Sequence, residues 1–96
     1  MVTEARIGIE SVERISDDSV LCVVRCLAGS VSPGDVFRNA VLDDGAVTAI
    51  DLRVDQIWRY GRMVDLLDPP HAAKIELSGA VSYFDDVKEL RGEGES

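Results

Sequence analysis

Hydrophobic alternation with period two constrains this chain more than any other feature. In Val47–Tyr60 one parity reads Thr48, Ile50, Leu52, Val54, Gln56, Trp58 and Tyr60, and the other Val47, Ala49, Asp51, Arg53, Asp55, Ile57 and Arg59. Successive side chains of a strand point to opposite faces, so this stretch predicts a long strand with its mostly apolar parity, Trp58 included, on a core. Ala73, Ile75 and Leu77 repeat the pattern. Val36–Leu42 reads as a further strand, closed by Asp43-Asp44-Gly45, a hairpin-type turn signal. Ile7 and Ile9 share a parity that Val12 breaks and Ile15 does not restore, which predicts a bulge near Ser11 before a turn at Ser16-Asp17-Asp18-Ser19.

The run Ser19–Leu27 differs. Val20, Cys22, Val24 and Cys26 form one face of a strand, and Leu21, Val23, Arg25 and Leu27 form the other. A strand apolar on both faces needs cover on both. A barrel interior supplies one cover; the C-terminal segment, another subunit or a foreign partner supplies the second. Ala28-Gly29-Ser30 then makes a bend, and Val31-Ser32-Pro33-Gly34-Asp35-Val36-Phe37 a Pro-Gly turn into the next strand. Toward the C-terminus the period changes. Phe84, Val87 and Leu90 recur at helical spacing, and Ser82 three residues before Asp85 resembles a capping box, so a short helical turn is expected. Gly92-Glu93-Gly94-Glu95-Ser96 is polar throughout; the expected organisation is one domain over 1–92 and a disordered acidic tail over 93–96.

Charge and length narrow the partners. A chain of 96 residues supports one core, and its net charge of -8 opposes a phosphate backbone unless the few cations gather on one face. No apolar run approaches the roughly 20 residues needed to cross a bilayer. Met1-Val2-Thr3-Glu4-Ala5-Arg6 lacks the basic and apolar segments of a signal peptide, so the expectation is a cytoplasmic protein without a membrane partner.

Candidate chemistry is sparse. Cys22 and Cys26 share a strand face but lie about 13 Å apart along it, too far for a disulfide, and with His71 the sole histidine they lack a zinc ligand set. They read as core residues. Asp17-Asp18, Asp43-Asp44 and Asp85-Asp86 sit in turns without calcium-loop spacing, so no metal or other cofactor is assigned. Asp68-Pro69-Pro70-His71 pairs a carboxylate with the histidine, but Pro-Pro fixes an extended loop with no nucleophile beside it, and the expected reading is a surface turn linking two strands. Gln56-Ile57-Trp58-Arg59-Tyr60-Gly61-Arg62-Met63 is the one positive, aromatic stretch. Its arginines are either solvated or paired with Asp55 and Asp65, or they serve recognition together with Trp58 and Tyr60.

The order of strands, with Ala28-Gly29-Ser30-Val31-Ser32-Pro33-Gly34-Asp35 between two of them and Ala72-Ala73-Lys74-Ile75-Glu76-Leu77-Ser78-Gly79 later, resembles the β-barrel second domain of translational GTPases such as elongation factor Tu. Phe84-Asp85-Asp86-Val87-Lys88 is similar to that family's turn before its last strand. The resemblance covers roughly residues 5–92 through short motifs in matching order. It implies an all-β barrel of about six antiparallel strands and a role near RNA or the ribosome. It does not extend to GTP, because the Gly-x-x-x-x-Gly-Lys-[Ser/Thr] loop is absent. The family's closing strand also has no evident counterpart unless Lys88–Arg91 supplies a remnant, and an open edge would recruit a partner or a second copy.

The expected function is therefore non-enzymatic: a protein-interaction module, self-associating or binding a protein partner. Its partner-binding residues are Trp58, Arg59, Tyr60 and Arg62 together with the Leu21, Val23 and Leu27 face. An RNA- or ribosome-associated module is the alternative that the family implies and the charge opposes. A small enzyme using His71 is the third.

Overall fold

The computed structural model describes residues 3–79 and 84–94. Seven strands follow in order: β1 (Thr3–Ile15), β2 (Ser19–Ala28), β3 (Val36–Leu42), β4 (Val47–Arg59), β5 (Arg62–Val64), β6 (Ala72–Gly79) and β7 (Val87–Gly94), with a 3-10 turn at Phe84–Asp86. They hydrogen-bond in the order β3-β7-β1-β2-β6-β4-β5, and β3 also pairs with β4. That last pairing closes a six-stranded antiparallel barrel, with β5 as one extra strand on the far half of β4. The expected all-β barrel is the fold of this chain.

Alternation builds the interior. Val20, Cys22, Val24 and Cys26 of β2 and Ala73, Ile75 and Leu77 of β6 are all buried, and they pack with Ile7, Phe37, Leu52, Val54 and Leu90 in one core. The first strand bulges between Ile9 and Ser11, and again between Val12 and Arg14, which is why its apolar parity breaks. The Ser32–Asp35 turn has Pro33 at its second position and Gly34, with φ 97°, at its third, the arrangement a type II turn demands. Its Asp35 N–H donates to Ser32 O (3.0 Å), and Gly34 N–H donates across to Val54 O (2.8 Å), so the turn stitches into β4.

Three expectations about the C-terminus change. The closing strand is present: β7 pairs with β1 over Thr3–Gly8 and with β3 over Phe37–Leu42. Where a helical turn was expected there is one 3-10 turn, and Ser82 of the capping box lies outside the described residues. The helical spacing has a strand origin. Between Val87, opposite Leu42, and Glu89, opposite Val41, two residues of β7 answer to one of β3, and the bulge turns both Val87 and Leu90 inward. Nor do 93 and 94 belong to a loose tail, since Glu93 and Gly94 continue the ladder opposite Glu4 and Thr3. Gly92 serves close packing rather than flexibility. A Cβ there would lie 2.5 Å from Val36 O and 3.0 Å from Phe37 Cα, so only glycine lets β7 approach β3.

The fourth correction concerns β4. Val54 pairs with Leu77 but Gln56 pairs with Glu76, so one residue of β4 is extra and the alternation reverses after it. Leu52 and Val54 point inward as expected. Beyond the bulge Ile57 is fully buried (0% exposed), while Trp58 is half-buried on the outer face and Tyr60 is 96% exposed. Thr48 and Gln56, also expected inward, are exposed.

Candidate functional site

The bulge in β4 creates the site. It rotates Trp58 out of the core onto the outer face, where Trp58 pairs with Lys74 of β6, Lys74 with Val23 of β2, and Trp58 with Met63 of β5. The row Val23–Lys74–Trp58–Met63 thus runs across four strands on one face. Above it lies an open groove of about 820 Å³, lined by Leu21, Val23 and Arg25 of β2, Trp58–Gly61 at the hairpin, and Pro70–Lys74 leading into β6. The two sets of residues expected to bind partners, Leu21/Val23 and Trp58/Arg59/Tyr60, therefore form one surface. Leu27 and Arg62 do not line the groove. Leu27 lies further along β2, 44% exposed, against Gly8 of β1. Arg62 is exposed on β5, opposite Arg59.

The far wall is held by backbone bonds. Val31 and Leu67 exchange N–H···O bonds (2.8 Å each), and Cys26 N–H donates to His71 O (2.9 Å), which docks the segment before β6 against β2. Asp68–His71 forms the expected surface turn before β6: His71 N–H donates to Asp68 O at 3.0 Å. His71 Nδ1 is 3.2 Å from Asp68 Oδ1. The described lining of the groove includes no Ser, Thr or Cys, and its one side-chain hydroxyl is that of Tyr60.

The electrostatics of the groove invert those of the chain. Against a net charge of -8, the described lining carries Arg25, Arg59, Lys74 and His71 and no Asp or Glu. Arg25 is engaged by Glu10 (3.3 Å) and Pro70 O (2.8 Å), and Lys74 reaches Glu13 (2.9 Å). Glu13 belongs to β1, so the Lys74 stem spans the outer face of β2 and supplies part of the cover that Leu21 and Val23 require. Arg59 and Arg62 form no ion pair among the described residues; Asp55, one expected partner, binds Arg53 (3.4 Å) and Ser78 Oγ (3.1 Å) instead. Arg59 lies over the Tyr60 ring, 5.7 Å from its centroid, and its Nε is buried without an acceptor.

The hairpin tip is built for display. Tyr60 and Gly61 both have positive φ (53° and 76°), as a two-residue type I′ turn requires. Tyrosine is an uncommon choice there, where Asn or Gly relieves the steric cost. An aromatic ring held almost fully in solvent by a strained backbone serves nothing inside the barrel.

The cysteines are core residues. Burial raises the Cys22 thiol to about 12 and also raises Cys26. Among the described residues no group of three or more His, Cys, Asp or Glu side chains could hold a metal ion, and no helix is long and apolar enough to cross a membrane. The signal that sequence reasoning missed is the bulge at Asp55-Gln56, which leaves no mark in composition. The chain matches no known family model and no curated protein; its architecture is a small closed antiparallel barrel of six strands with one strand added.

Proposed function

We propose that this domain is a non-enzymatic protein-interaction module of the translation-factor-type barrel class, binding its partner through the outer groove between β2, β6 and the β4–β5 hairpin. The observation that carries the reading is the outward Trp58, set in one row with Val23 and Met63 and beside a fully displayed Tyr60. Aromatic and arginine side chains with an apolar floor are the residues on which protein interfaces concentrate their energy. The strand order and the Pro33-Gly34 turn support the resemblance to the second domain of translational GTPases.

The test compares the protein with Trp58→Ala and Val23→Lys, each checked for an unchanged melting temperature. A defined partner bound by the first and lost from both variants supports the reading. Equal binding by all three refutes it. RNA association remains a second reading, favoured by the aromatic and unpaired cationic hairpin and opposed by the net charge. Its signature would be steep loss of binding with added salt.

A further inference from the structure

We propose that the occupant of the groove is an extended peptide with an apolar or aromatic anchor and a carboxylate about two or three residues away from it. This inference rests on the groove being a protein-binding site and adds the chemistry of what it binds.

Charge supplies the first argument. The chain holds 18 acidic residues against 10 basic ones, yet the described lining of the groove has no acid and three of those bases. A surface so segregated within an acidic protein is complementary to an acidic partner, and it selects against basic ones by offering them cations and no carboxylate.

Arg59 supplies the second. Its Nε–H is buried with no acceptor, and neither Arg59 nor Arg62 has a carboxylate partner among the described residues. A buried, unpaired donor on a cation is costly, and an incoming oxygen acceptor relieves the cost. Arg25 and Lys74 are already neutralised by Glu10 and Glu13, so the acceptor is wanted at the hairpin end rather than along the whole groove.

Geometry then sets the spacing. The apolar floor at Leu21 and Val23 belongs to β2, and the arginines to the β4–β5 hairpin, with only β6 between them. Two inter-strand steps make about 10 Å, which an extended chain crosses in about three residues. One apolar side chain seated on Leu21 and Val23 thus brings an acidic neighbour two or three positions on to Arg59. A nucleic-acid strand fits less well, because it carries a phosphate at every step past an apolar floor and toward a protein of the same sign. A second copy docked groove to groove would bring Arg59 another cationic lining and no carboxylate.

The experiment selects from a displayed library of random 12-residue peptides against the immobilised full chain, with tight binders remade synthetically. Trp58 is the sole tryptophan, so its emission reports groove occupancy directly. The expected result is a consensus of an apolar or aromatic residue with Asp or Glu two or three positions away. Such a peptide shifts Trp58 emission and weakens at least tenfold on its own Glu→Gln change or on the double substitution Arg59→Gln/Arg62→Gln. A consensus without acid, still lost on Trp58→Ala or Val23→Lys, overturns this inference and leaves the groove reading standing. No enrichment, or peptides that bind those two variants equally, overturns both. Displacement of the peptide by single-stranded random-sequence RNA at physiological salt, or a dimer by sedimentation that Val23→Lys dissolves, also overturns the peptide assignment.

Discussion

Replacing Tyr60 by Asn separates the needs of the fold from those of the groove. Tyr60 is the only non-glycine residue with positive φ among the described residues, and its ring is 96% exposed. A left-handed backbone costs an ordinary side chain roughly 1–2 kcal/mol, and Asn-Gly is the favoured pair for this hairpin turn. What the ring contributes to the fold is its contact with Arg59, about 0.5–1 kcal/mol at an exposed site. The balance is about 0.5 kcal/mol in favour of the variant, or a rise in melting temperature of roughly 2–4 °C for a domain of this size. A displayed aromatic that anchors a partner contributes about 2 kcal/mol on truncation, close to thirtyfold in affinity. Calorimetry of Tyr60→Asn, with titration of a groove-binding peptide, reads both. A fall in melting temperature of several degrees would mean that the ring supports the barrel. Unchanged affinity would mean that it does not touch the partner.

Three further outcomes follow from the barrel itself. Gly92→Ala forces a Cβ against Val36 O and Phe37, so the closing strand should lose about 1–3 kcal/mol in chemical denaturation, and a neutral result would refute the close approach of β7 to β3. Cys22, with its thiol raised to about 12 by burial, and Cys26, also raised, should resist a thiol reagent in the native protein and react on unfolding; rapid native labelling of either would contradict their placement. Glu89 accepts from Arg6 (3.1 and 3.2 Å) and from Arg91 (2.7 Å), and these arginines, Arg6 first, hold its carboxyl below the usual range. Because the folded value is the lower one, its stabilising contribution is complete above the ordinary Glu value and is lost as pH falls through the folded value. Denaturation midpoints followed into acid should therefore decline less steeply in Glu89→Gln than in the parent, and identical slopes would remove the pair from the account.

The strands that could be read in advance are those whose partners keep regular register. β2 and β6 pair without a shift from Ser19 to Arg25, and every inward residue on them follows parity. The turn at Pro33-Gly34 was legible because its residue types match the dihedral angles the turn needs. What escaped were bulges and long-range closure. One extra residue near Asp55 reversed the faces of Ile57 and Trp58, and one near Lys88 gave a strand helical spacing at Val87 and Leu90. Neither is a property of local sequence, since a bulge exists only relative to the strand opposite. Gly92 was ambiguous for the same reason: alone it suggests freedom, and only the presence of Val36 and Phe37 makes it a contact. The groove was half legible. Both of its walls could be named, but their meeting depends on the order β2-β6-β4, which parity does not encode.

Trp58 lies on the outer face of the barrel, in the groove proposed to receive a partner. Acrylamide quenching of Trp58, the chain's sole tryptophan, tests it in the free protein and with a saturating groove peptide. The predicted result is substantial quenching in the free protein and clear protection by the peptide. A blue-shifted emission that acrylamide leaves untouched, or a bound peptide that changes nothing, would contradict it.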